Sequence, residues 1–158
     1  MRFLIILTIF LLQIINAEEL QVKANLFNTD EKKGISVFDG DVNVIKGTDE
    51  LNASNVTIYT NKEHQPTKFI AVGDVSFNIQ TLDGSVYRGE AGKVVYLPLK
   101  KEYRFFKNVH LQQVNEKKEI IGEEVVLKTV EGKAYAKGAK SEPVIMIFDM
   151  PQKEEEKW

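Results

Sequence analysis

FIAVGDVSFNIQTLDGSVYRGEAGKVVY, residues Phe69–Tyr96, reads as one two-stranded β unit. An apolar stretch runs into Gly73-Asp74-Val75. Strict alternation follows, with Val75, Phe77 and Ile79 on one side and Ser76, Asn78 and Gln80 on the other. Such a period of two marks a strand with one buried face. Leu82-Asp83-Gly84-Ser85 reverses the chain, as an Asp-Gly pair between alternating runs does. The return stretch carries Gly89-Glu90, then Val94 and Tyr96.

The same plan stands upstream as Gly40-Asp41-Val42-Asn43-Val44, a turn at Gly47–Glu50, then Leu51, Ala53, Val56 and Ile58. It stands downstream as Lys107-Asn108-Val109-His110-Leu111, a polar turn at Asn115–Lys118, then Ile120, Gly122, Val125 and Leu127. Val42, Val75 and Val109 lie 33 and 34 residues apart. A fixed period of that length is a signature of repeat architecture.

The rest of the chain continues the pattern in fragments. Leu20–Ala24 alternates like the second half of a unit, and Asn28–Gly34 reads as a polar turn. Asn61–Thr67 is a further turn, where Pro66 cannot donate to a ladder. Lys133–Lys137 is another half unit, and Val144–Phe148 is a last strand after Pro143. Nowhere after residue 17 do apolar residues recur at helical spacing. The expected fold is therefore all-β. Gly40, Gly73, Gly89 and Gly122 interrupt strand patterns, which predicts bulges or bends. Repeated bends would curl long hairpins into two facing antiparallel sheets.

Arg2 is the only charge before Glu18, Phe3–Ile15 is apolar apart from Thr8 and Gln13, and Asn16-Ala17 supplies a small residue before Glu18-Glu19. Residues 1–17 thus read as a cleaved signal peptide. The apolar run is short of the roughly 20 residues that a span needs; an uncleaved membrane anchor is the alternative. The expected organisation is a signal peptide at 1–17, a β domain at 18–148 and a charged, disordered tail at 149–158. Loss of Arg2 takes the net charge from −2 to −3. That balance lacks the basic footprint of a nucleic-acid binder.

The residues give no catalytic constellation. There is no cysteine, and neither His64 nor His110 has partners at metal-ligand spacing. No phosphate-binding glycine loop or nucleophile elbow is present. No cofactor, metal or enzymatic activity is expected. What remains is apolar. Val42, Val44, Val56, Ile58, Val75, Phe77, Ile79, Val94, Tyr96, Val109, Leu111, Val125 and Leu127 occupy matching positions and should point between the sheets. Periodicity leaves two readings open, a filled sandwich core and an interior that accepts an apolar ligand.

The repeated Gly-(Asp/Asn)-Val opening, with return stretches such as Leu51-Asn52-Ala53 or Arg88-Gly89-Glu90-Ala91 that end in tyrosine, resembles the OstA-like repeat of the lipopolysaccharide-transport protein A (LptA) family. The likeness covers most of Leu20–Leu127. The third unit departs from it, with Lys107-Asn108 in place of Gly-Asp and no tyrosine after Leu127. The resemblance implies an open, twisted β-jellyroll that holds lipopolysaccharide acyl chains in the periplasm. It implies head-to-tail stacks of the chain itself, ending on related domains of inner-membrane LptC-like and outer-membrane LptD-like proteins. The alternatives are a membrane-anchored LptC-like component and a periplasmic scaffold that binds no lipid.

Two surface features complete the reading. Leu20, Val22 and the run Val144, Ile145, Met146, Ile147 and Phe148 are candidate edge strands for assembly, since unpaired edges recruit other strands. Glu50-Leu51-Asn52-Ala53-Ser54 fits the acidic-x-Asn-x-Ser/Thr pattern of bacterial N-glycosylation; Asn52 is a candidate acceptor, with a chance match as the alternative.

Overall fold

The computed structural model describes residues 18–151. The expected signal peptide, and residues 152–158 of the expected tail, lie outside the described residues. Ten strands and no helix form among the described residues: β1 (Leu20–Lys23), β2 (Leu26–Asp30), β3 (Ile35–Lys46), β4 (Asp49–Thr60), β5 (Pro66–Gln80), β6 (Val86–Leu97), β7 (Glu102–Gln113), β8 (Lys118–Lys128), β9 (Lys133–Lys137) and β10 (Ile145–Phe148). They join into one antiparallel sheet in the order β1-β3-β4-β5-β6-β7-β8-β10, with β2 also on β3 and β9 also on β8.

Every long strand is bent at the same height. Pairing breaks register between Asp39 and Val42, Asn52 and Asn55, Val72 and Val75, Glu90 and Lys93, and Phe106 and Val109. At three of these places two successive residues are left-handed: Gly40 and Asp41 (φ 80° and 46°), Gly73 and Asp74 (86° and 46°), and Lys107 and Asn108 (67° and 50°). Glycine, aspartate and asparagine are the residues that tolerate this conformation. The repeated Gly-Asp is therefore a corner. In the third repeat Lys107 and Asn108 turn the same corner without glycine.

Beside each corner a buried valine faces a small residue: Val42 opposite Ala53, Val75 opposite Ala91, Val109 opposite Gly122. The inside of a sharp bend has no room for two large side chains. Gly122 was expected to mark a bend and does. Gly89 was expected to do the same and does not. It lies in unbroken pairing between Phe77 and Leu111. A β-carbon there would be driven into the His110 carbonyl and would stand 3.1 Å from Phe77 Cζ. Its role is to leave room for a neighbouring strand and for Phe77.

The corner folds the sheet onto itself. The first layer holds β1, β10 and the strand halves between, including Val42–Lys46, Asp49–Ala53 and Val75–Gln80. The second layer holds β2, β9 and the other halves, including Asn55–Thr60, Lys93–Leu97 and Glu102–Phe106. The expected two sheets are thus halves of one. Sheet twist rotates the layers relative to each other. At the corner each strand faces its own continuation. Midway, Phe77 of β5 meets Phe105 of β7, with ring centroids 4.4 Å apart. At the rim the offset is three strands: Lys46 of β3 lies over Tyr96 of β6, Tyr103 of β7 bonds Asp49 of β4, and Leu82 N–H, after β5, donates to Thr129 O, after β8.

Two boundaries differ from the sequence reading. β2 occupies part of the expected turn Asn28–Gly34; the turn itself is Glu31–Gly34. LFNTD has no alternation because all five residues are exposed, and the strand is held by backbone pairing to β3. Pro66 opens β5 instead of lying in the turn.

The corner is testable. Replacing Gly73 by alanine imposes a left-handed alanine and puts a β-carbon 2.6 Å from Ser54 Oγ. Gly73→Ala is expected to lower stability by about 1–3 kcal/mol, read as a shift in the urea midpoint with the slope unchanged.

Candidate functional site

All thirteen expected interior residues lie between the layers. Val42, Val56, Ile58, Val75, Phe77, Ile79, Val94, Val109, Leu111, Val125 and Leu127 are buried, and Val44 and Tyr96 are half-buried against them. They do not form one uniform groove. Around Phe77 and Phe105 the space is filled, with Phe105, Val109, Val125 and Leu127 fully buried. Toward the N-terminal strands the layers part into an opening. Leu20, Val44, Leu51 and Ile79 line it from the first layer, and Val56, Phe69, Ala71, Val94, Tyr96 and Tyr103 from the second. Lys46, Asp49 and Glu50 border it. About 40 Å³ is accessible there to the centre of a water molecule, room for roughly three waters.

Eight buried core residues lie outside the expected thirteen: Ala53, Phe69, Ala71, Tyr87, Ala91, Tyr103, Phe105 and Ile120. Four of them precede a corner on β5 or β7, where the inward face is set by alternation counted backwards from the bend. Phe69-x-Ala71 and Tyr103-x-Phe105 carry that signal. It is visible only once the Gly-Asp is known to be a corner, because the bulge shifts the phase of the alternation.

Two of the charged groups bordering the opening, Lys46 and Asp49, belong to one connected chain at the rim. Glu18 Oε2 pairs with Lys46 Nζ at 3.0 Å, and Lys46 lies 5.5 Å from the centre of the Tyr96 ring. Tyr96 stacks on Tyr103 at 4.3 Å, and Tyr103 Oη donates to Asp49 Oδ2 at 2.8 Å. Asp49 Oδ1 also accepts from Gln80 N–H at 2.9 Å. Burial, reinforced by the Asp49 charge, holds the Tyr103 pKa well above the ordinary tyrosine value. Burial raises Tyr96 too, against the opposing effect of Lys46. Burial works against the charge of Lys46, but the hydrogen bond to Glu18 and the charges of Tyr96, Glu18 and Asp49 together outweigh it, and its pKa is raised.

His110 faces outward, as expected from its neighbours, and lies 3.0 Å from Glu119. His64 sits in a turn at φ 60°. Among the described residues no group of three potential metal ligands converges. A larger hollow of about 390 Å³ lies on the outer face, between Glu50, Asn52, Asn78, Arg88, His110 and Gln112. It mixes polar and apolar surface and is open to water, unlike the interior. Asn52 stands on that face in β4, where its amide oxygen accepts from Asn43 Nδ2 at 2.8 Å. Leu20 and Val22 are half-buried in β1. Val144 and all of β10 are exposed, and β10 pairs on one side only, with Lys118–Ile121.

Residues 21–133 match the family described as LptA/(LptD N-terminal domain) LPS transport protein. The chain belongs to that family. In fold the LptA/LptD-type chain is similar to LptH, the LptA-homologous periplasmic component of the lipopolysaccharide transport device of Pseudomonas aeruginosa. The TM-score is 0.75 at 20% identity, over 84% of this chain and 96% of that one. Among curated proteins none matches its sequence significantly. The all-β, open jellyroll expected from the OstA-like repeat is the fold found.

Two measurements probe this interior. Phe77→Ala removes a buried ring from contact with Phe105 and is expected to cost about 3–5 kcal/mol, measured by urea unfolding. The second concerns alkaline pH. Folded Tyr103 keeps its proton at pH values where an unfolded tyrosine, with its pKa near 10, has lost it. The unfolded chain then binds fewer protons, so the contribution of Tyr103 is complete below pH 10 and is lost as pH rises beyond it. Each such group adds a slope of at most about 1.4 kcal/mol per pH unit. The slope above pH 10 should be shallower in Tyr103→Phe than in the unsubstituted chain.

Proposed function

We propose that this chain is a periplasmic carrier that shields the acyl chains of lipopolysaccharide between its two layers. The observation that carries the reading is the opening between Leu20, Val44 and Leu51 on one layer and Phe69, Val94 and Tyr96 on the other. It is apolar throughout its depth and polar only at the rim. An acyl CH₂ left in water costs about 0.8 kcal/mol, so a twelve-carbon chain costs roughly 10 kcal/mol. A carrier through an aqueous compartment has to offset that cost along the whole path. Membership of a lipopolysaccharide-transport family supports the same reading. Residues 1–17 would direct export and be removed. No step in this function requires catalysis or a cofactor.

The carrier would work in a stack. Its two ends are unlike. At one end the free edges are those of β1 and β2, which both pair with β3, and at the other those of β9 and β10, which both pair with β8. β10 is apolar on both faces, with Ile145, Met146, Ile147 and Phe148 each close to half exposed. Pairing of β10 with β1 of the next molecule is strand addition; it joins unlike ends, so the assembly stays open and does not close into a ring. The partners would be further copies and the related jellyroll domains of LptC-like and LptD-like proteins. Asn52 stays a candidate glycan acceptor on the outer face, clear of the interior.

Leu51→Glu tests the carrier, because Leu51 lines the opening but is only half-buried. It should fold, by circular dichroism, and lose lipopolysaccharide binding at least tenfold in a displacement assay. Normal binding by the folded variant would remove this interior as the site. Deleting residues 143–158 tests the stack. Concentration-dependent oligomers in sedimentation should give way to a monomer that still binds lipid. An intact chain that stays monomeric at high concentration and ignores its partners' domains would sink the stack.

A further inference from the structure

We propose that the Asp49–Tyr103 hydrogen bond is a releasable clasp across the rim, and that an acyl chain is admitted sideways between the layers when it opens. The inference rests on the carrier reading and names the pair that regulates the same interior.

Space and connectivity set the problem. The opening is bridged at its rim by side-chain contacts between the layers, so a chain that enters from the side has to part them. They cannot separate at the corner, where six strands, β3 to β8, run unbroken from one layer to the other through their five shifted pairings. Separation is a movement of the rims. Among the described residues, three polar contacts hold those rims together: Lys46 on Tyr96, Asp49 on Tyr103, and Leu82 on Thr129.

The three differ in kind. The Leu82–Thr129 contact is backbone to backbone. It belongs to a braced corner in which Thr129 N–H and Oγ1 both reach Lys101 O, at 3.1 and 3.0 Å. It stands beside the filled half of the interior. Lys46 over Tyr96 is a cation–ring contact at 5.5 Å, and Lys46 is shared with Glu18. Between these two stands a single side-chain bond, Tyr103 Oη to Asp49 Oδ2, and both of its residues line the opening.

Each end of that bond is fixed in its own layer. Asp49 is held by Gln80 N–H of the neighbouring strand at 2.9 Å. The Tyr103 ring is stacked between Tyr96 at 4.3 Å and Phe105 at 6.1 Å. The bond therefore reports the separation of the layers and not the wandering of a side chain. It also breaks at small cost in unpaired groups. Asp49 is only half-buried and stands at the rim, so its carboxylate meets water on release; Tyr103, buried while the rims are closed, meets it as they part. A bond whose partners stay buried when broken would be a lock; one whose partners reach water is a clasp.

The probe is cis-parinaric acid, a fluorescent fatty acid, mixed with the full exported chain in a stopped-flow instrument. Tyr103→Phe keeps the stacked ring and removes the bond. The association rate should rise about tenfold, the equivalent of one hydrogen bond to a charged group. Asp49→Ala, at the partly exposed end, should give a similar rise and serves alone if Tyr103→Phe does not fold. The double variant should be no faster than either single one, since both remove one bond. Normal probe binding with unchanged rates, or rises that multiply in the double variant, would overturn the clasp and leave the carrier standing. Failure of the unsubstituted folded chain to bind the probe at all would overturn both.

Discussion

One row of backbone irregularities bends every long strand of this molecule, and the rest of the structure follows from it. A flat ten-stranded antiparallel sheet with one apolar face could not be soluble alone. Here the two left-handed residues at Gly40-Asp41, Gly73-Asp74 and Lys107-Asn108 turn the strands through a common corner. The sheet then covers its own apolar face. No second element is needed, and among the described residues there is no helix to supply one. The pairing of Val42, Val75 and Val109 with Ala53, Ala91 and Gly122 follows from the same corner, because its inside admits one large side chain per pair. A single interior results, open wherever the two rims fail to meet.

Much of this was legible because the repeat spells it out. Alternation after each Gly-Asp gave the strands, and the Val42, Val75 and Val109 anchors gave the register of the three units. Inward residues beyond each anchor were therefore placed correctly, from Val44 to Leu127. The phase before each anchor was not legible. A bulge adds a residue to one strand and not to its neighbour, so alternation cannot be carried through it. Tyr103 and Phe105 were missed for that reason, although one bonds across the rim and the other fills the centre. β2 was missed for a different reason. Its five exposed residues carry no period, and backbone pairing leaves no mark in sequence. Gly89 misled because a glycine in a strand has two possible meanings, a bend or a close approach. Only the position of the His110 carbonyl separates them.

The division of the interior into a filled half and an open half also lay beyond the pattern. Every unit contributes similar aliphatic positions, so periodicity predicts a uniform space. What breaks the uniformity is the size of a few side chains and the twist. Phe77 and Phe105 meet in the middle and close the gap toward the C-terminal units. One repeat earlier the corresponding places hold the smaller Val44 and Ala71, and both line the opening. One half of the interior is thus a filled core, and the other half is open.

Twist has a further consequence at the two ends. The layers start in register at the corner and are displaced by three strands at the rim. The same displacement that brings β3 to β6 and β4 to β7 leaves the rim of the second layer uncovered at the N-terminal end. Leu26 and Phe27 of β2 are exposed there, with the Phe27 ring tilted against Phe38 at 4.9 Å. At the C-terminal end it leaves the rim of the first layer uncovered, where β10 is exposed along its length. The apolar surface is thus on opposite layers at opposite ends. In the proposed stack each junction would bring the uncovered part of one layer toward the uncovered part of the other. The bend that makes the interior and the twist that splays it are then also what leaves each molecule incomplete at both ends.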